Sequence, residues 1–82
     1  MHTESNDKTR LAYRAVSLAF MKLDKTHIRI TDCDAGLMTA NSEDRRRELT
    51  RKREALEAEW KRDYQEYVEA NRAYLRATGH PQ

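Results

Sequence analysis

From residue 1 to residue 78 the chain contains one glycine, Gly36, and no proline. A fold with many tight turns is closed to such a chain, and long helices are what remains. Charged residues are 37% of the 82 and apolar residues 38%, against roughly 25% charged in an ordinary domain. That apolar content makes a seam between helices rather than a rounded core. The length sets one domain, residues 1–82, with polar tails.

The apolar spacing gives two helices. In the first, Ala12, Tyr13, Val16, Ala19, Phe20, Leu23, His27, Ile30 and Leu37 recur at three- and four-residue steps, which places them on one stripe. Leu11, Leu18 and Met21 widen it on one side. Ser5 or Asn6 caps its start, and Gly36 is the natural stop. Helix 1 is thus expected over about 6–35 and a linker over about 36–41. Thr26, Ile28, Ile30 and Thr31 lower helix propensity. A short strand over 26–31 is the alternative, disfavoured because a lone strand has no partner edge. Asn41 or Ser42 caps helix 2, expected over about 42–77, with Leu49, Leu56, Trp60, Tyr64, Tyr67 and Tyr74 on its stripe and Val68 and Leu75 beside it. Pairs Glu43–Arg47, Glu48–Lys52 and Glu57–Lys61 support its outer face.

A short linker folds the helices into an antiparallel, coiled-coil-like hairpin. With the turn centred near residues 38–39, Met21 faces Leu56, Val16 faces Trp60, Tyr13 faces Tyr64 and Ile28 faces Leu49. Arg53 falls beside Asp24, and Arg45 and Arg46 near Asp32. The end of helix 2 then outruns the apolar part of helix 1: Tyr67, Val68, Tyr74 and Leu75 fall opposite Arg10, Thr9, Thr3 and His2. Tyr64, Tyr67, Val68, Tyr74 and Leu75 are therefore the expected intermolecular surface, and a homodimer in a four-helix arrangement is the expected assembly.

The charge is unevenly spread, although the net is only +2. Residues 45–53 carry six cations (Arg45, Arg46, Arg47, Arg51, Lys52 and Arg53) against Glu48. Such a patch fits nucleic-acid phosphates or an acidic protein surface. Its residues spread around the helix, which favours the protein partner.

Catalytic chemistry finds no support. Asp32, Asp34 and Glu43 occupy the first, third and twelfth places of a calcium loop, but Gly36 stands fifth where the sixth is required. Cys33 and His27 lack zinc-ligand spacing, and His27 reads as a packed histidine. Glu54, Glu57, Asp63 and Glu66 fall largely on an outer face, without the water-limited pocket that acid–base work needs. No cofactor, metal or small-molecule substrate is expected.

The longest apolar run, Ala15 to Met21, is far short of a bilayer span of roughly 20 residues. The polar start does not resemble a signal or transit peptide. One cysteine makes no intrachain disulfide, so a cytoplasmic setting is expected. The expectation is a non-enzymatic interaction protein (regulator, adaptor or inhibitor) acting on a second protein, of the kind phages and mobile elements encode. A nucleic-acid-binding regulator and a structural assembly component are the alternatives.

Overall fold

The computed structural model describes residues 2–79, with side chains for residues 7–79. Two helices, α1 (His2–Thr39) and α2 (Glu43–Ala77), are joined by residues 40–42. They pack against each other in a rod of 64 × 18 × 14 Å. They run antiparallel: the Thr9 hydroxyl lies 3.5 Å from the Ala77 carbonyl at one end, and Gly36 lies against Leu49 at the other.

Local chemistry sets the ends of α2. The Ser42 side chain accepts from the Arg45 amide at 3.2 Å, and Glu43 and Asp44 follow in the first turn, where the helix dipole favours anions. At the far end Gly79 takes φ +80°, a conformation open to glycine, and its amide donates to the Arg76 carbonyl at 3.1 Å. The expected caps of α1, Ser5 and Asn6, have side chains outside the described residues; the α1 backbone is helical from His2.

The disfavoured strand alternative is not taken, since residues 26–31 lie inside α1. The hydroxyls of Thr26 and Thr31 reach back to the carbonyls of Lys22 and His27 at 3.2 and 3.1 Å. The expected stop at Gly36 is also overturned. α1 runs through it to Thr39, and the linker is 40–42 rather than 36–41. Gly36 serves close approach instead: a Cβ there would stand 3.1 Å from Leu49 Cδ1.

The longer α1 changes the register. Tyr13 meets Tyr74 rather than Tyr64, and Phe20 meets Tyr67. Part of the shift comes from the added residues of α1. The rest comes from the linker, which carries the chain past the end of α1 before α2 turns back. Gly36 already faces Leu49, so the first turn of α2 overhangs, and residues 43–48 are all exposed.

The seam is narrow. Among the described residues the buried apolar side chains are Cys33, Leu49 and Leu56, and the buried polar ones are Thr26 and Asp63. Val16, Ala19, Leu23, Ile30 and Trp60 are half-buried along the same line. His27, expected inside, is exposed, because Thr26 takes the inward position beside it. Leu11, Leu18 and Met21 are 66%, 56% and 54% exposed and do not join the seam.

Gly36→Val tests the close approach. It should destabilise the hairpin by about 1–3 kcal/mol, the usual cost of overpacking, measured by urea unfolding followed by circular dichroism. Gly36→Ala should stay within about 1 kcal/mol, since gained helix propensity opposes a contact that Leu49 relieves by rotating.

Candidate interaction surface

Two polar clusters fix how the helices meet and therefore which surfaces remain free. At the centre, Asp63 is 3% exposed and Thr26 2%. The Thr26 hydroxyl lies 2.8 Å from Asp63 Oδ2 and 3.2 Å from its own helix's Lys22 carbonyl. Its single proton favours the charged acceptor. Lys22 Nζ stands 3.9 Å from Asp63 Oδ1 and donates to Glu66 Oε2 at 2.9 Å. The Glu66 hydrogen bond and charge, with Asp63 adding to them, hold the Lys22 ammonium above the ordinary lysine value. Asp63 was expected on an outer face; it stands seven residues beyond Leu56 on the buried line of α2, and the register sets Thr26 opposite it.

The second cluster lies toward the tip. Arg53 donates from Nε to Asp34 Oδ1 and from Nη1 to Glu57 Oε1, with Nη2 3.5 Å from Asp34 Oδ2. The Asp34 hydrogen bond raises the Arg53 value further and keeps it charged. The acid beside Arg53 is thus Asp34, not Asp24, again following the register. Arg29 and Glu59 add a looser pair at 3.9 Å.

The aromatic stripe has intrachain partners, contrary to expectation. Phe20 and Tyr67 rings lie 6.0 Å apart and Tyr13 and Tyr74 5.9 Å apart, both tilted. Val68 and Leu75 are half-buried. Tyr64 stacks on Trp60 at 5.3 Å within its own helix and remains 45% exposed. The aromatic end of α2 therefore does not lack a cover within the chain.

The basic segment divides into paired and unpaired cations. Arg45 pairs with Glu48 at 3.0 Å, Arg47 with Glu43 at 3.4 Å, and Arg53 with Asp34 and Glu57. Of the expected outer-face pairs only Glu43–Arg47 is present; Glu48 and Glu57 take arginines instead of Lys52 and Lys61. Arg46, Arg51 and Lys52 are exposed and have no ion pair among the described residues. At about 100° per residue they point in three directions, so they form no single basic face. Arg45 and Asp32 line one shallow groove with Arg29 and Lys52, above Cys33.

A second exposed apolar surface was not expected. Leu11, Leu18, Met21 and Ile28 of α1 are 66%, 56%, 54% and 51% exposed. Helical spacing puts all four within about 100° of one another, turned away from the buried Thr26 and Cys33. Arg14 and Lys25 stand among them, exposed and without an ion pair among the described residues. The available signal was that α1 carries apolar residues on more of its circumference than one neighbouring helix covers.

No protein-family model, curated protein or solved structure matches this chain. Among the described residues no helix is long and apolar enough to cross a membrane.

Thr26→Val leaves the buried Asp63 carboxylate without its hydroxyl donor and should cost about 1.5–3 kcal/mol. Adding Asp63→Leu should recover most of that, because both polar partners are then gone. Equilibrium unfolding of the single and double variants measures it.

The Lys22 shift gives a pH dependence of defined sign. Its value is higher folded than unfolded, so its contribution is complete below the ordinary 10.5 and is lost as pH rises through the raised value. Lys22→Met should flatten that alkaline fall relative to the unmodified chain in thermal melts across the same range.

Proposed function

We propose that this chain is a small non-enzymatic interaction protein, a regulator, adaptor or inhibitor, that works by docking a helix on the outer face of α1. The observation that carries this reading is the exposure of Leu11, Leu18, Met21 and Ile28 along one side of a continuous helix. Burying such a side chain contributes about 1.5–3 kcal/mol. Because each is 51–66% exposed, the four together offer roughly 3–7 kcal/mol before the cost of association is subtracted, the scale of a weak complex. The shape of the site also supports a macromolecular partner: a rod 14–18 Å thick offers a face rather than a deep cleft.

The alternative, nucleic-acid binding through Arg45–Arg53, rests on Arg46, Arg51 and Lys52, which are exposed and have no ion pair among the described residues. Their divergent directions and the pairing of Arg45, Arg47 and Arg53 count against it. A steep loss of DNA or RNA affinity with added salt would favour it.

The test uses the full chain with Leu18→Asp and Ile28→Asp together. Both side chains are exposed, so circular dichroism should show an unchanged helix content. Partners retained by the unmodified chain from extracts of its source cells should be lost by the variant. Retention of the same partners by both would overturn the reading.

A further inference from the structure

The outer face of α1 has a finer order than exposure alone. Leu11, Arg14, Leu18, Met21, Lys25, Ile28 and Asp32 succeed one another at alternating steps of three and four residues. All seven are exposed. That alternation is the heptad rule for a seam between two helices. Arg14, Lys25 and Asp32 also lack ion pairs among the described residues. The seam thus carries charges with no ion pair among the described residues, although Asp32 shares a groove with Arg29, Arg45 and Lys52 of its own chain.

Those charges discriminate among the ways two such seams can meet. A parallel pairing in register sets Arg14 on Arg14, Lys25 on Lys25 and Asp32 on Asp32. An antiparallel pairing centred between Ala19 and Phe20 joins Leu11 to Ile28 and Leu18 to Met21. It also sets Arg14 on Lys25 and Asp7 on Asp32, like on like. Moving that pairing by one heptad, to a centre at Leu23, removes the conflict. Leu18 then meets Ile28, Leu11 meets Ala35, and Arg14 meets Asp32. Lys25 lies beside Met21, where its methylene stem packs and its ammonium reaches water. Twofold symmetry repeats each contact. Of the charges flanking the axis, Lys22 is neutralised by Glu66 of its own chain, and Asp24 stands at the margin of the face.

From this complementarity we propose that the occupant of the outer face is a second copy of the chain, antiparallel about an axis near Leu23, with Arg14 of each copy paired to Asp32 of the other. This rests on the reading of that face as a helix-docking surface and names its partner. The two α1 helices form the centre of a four-helix assembly, and the α2 helices lie outside. Arg14 and Asp32 of one chain are 18 residues apart, about 27 Å along the helix, so any coupling between them must pass between copies.

Sedimentation of the full chain tests it. The unmodified chain should show a monomer–dimer equilibrium in the micromolar range, and Leu18→Asp should abolish it. Arg14→Asp and Asp32→Arg should each weaken the dimer about tenfold, by setting like charges opposite one another. Mixing the two single variants should restore dimer formation, since both charge pairs in the mixed species are then complementary. The double variant Arg14→Asp/Asp32→Arg should recover it in the same way. A monomer at hundreds of micromolar overturns the proposal, and so does a mixture that associates no better than its components. If the chain is monomeric but Leu18→Asp with Ile28→Asp still removes a second protein, the docking face stands and only the identity of its occupant fails.

Discussion

Asp63 is closed off between the helices and accepts from the Thr26 hydroxyl at 2.8 Å. A buried carboxylate must find a donor, and on this seam few positions offer one. Sliding α1 by one heptad would place Ala19 or Cys33 where Thr26 now stands. Neither has a hydroxyl. The same slip would move Asp34 from Arg53 and set His27 or Asn41 there instead. Apolar seams with three- and four-residue spacing tolerate such slips at small cost. The polar pairs therefore choose the register, while Leu49, Leu56 and Cys33 supply burial at whatever register is chosen. Replacing them with apolar residues would relieve desolvation and lose that choice.

The helices themselves were legible because spacing and the scarcity of breakers are local properties. The N-cap at Ser42 and the end near Gly79 were legible for the same reason. What the sequence withheld depends on contacts between distant residues. Gly36 has the side chain of a helix stop, but its lack of Cβ is used to admit Leu49 at 3.1 Å. Reading it as a stop shortened α1 and displaced every facing pair. From that misplacement, together with the path of the linker, came the unpartnered aromatic stripe and the wrong acid for Arg53; the outward Asp63 was a misread face, since it follows Leu49 and Leu56 at seven-residue steps. A signal was present. Thr26 and Asp63 each interrupt an apolar stripe at the correct spacing, and two interruptions of complementary chemistry indicate a pair.

The limit of two helices explains the rest. One neighbour covers one side of a helix, and α1 is apolar on more than one side. Tyr13 and Phe20 lie at the edge and find Tyr74 and Tyr67. Leu11, Leu18, Met21 and Ile28 stay more than half exposed beside α2, although Leu18 lines a groove with its Glu66 and Ala70. Correcting the register therefore moved the unpartnered surface without removing it, from the end of α2 to the back of α1.

Charge separates the two seams of α1. On the inner side the charged groups are matched within the chain: Lys22 with Glu66 and Asp63, Asp34 with Arg53, Arg29 with Glu59. On the outer side Arg14, Lys25 and Asp32 have no ion pair among the described residues and stand at heptad positions, Asp32 bordering a groove that it shares with Arg29, Arg45 and Lys52. A merely solvated face would not need apolar residues at the intervening positions, and a face selected for solubility would carry charges where Leu18 and Met21 stand. A seam with three heptads of spacing and isolated charges is instead the pattern by which helices specify register to one another. The same physical device, polar groups that interrupt an apolar stripe, operates inside the hairpin through Thr26 and Asp63, and the proposed pairing of Arg14 with Asp32 would use it on the outer face.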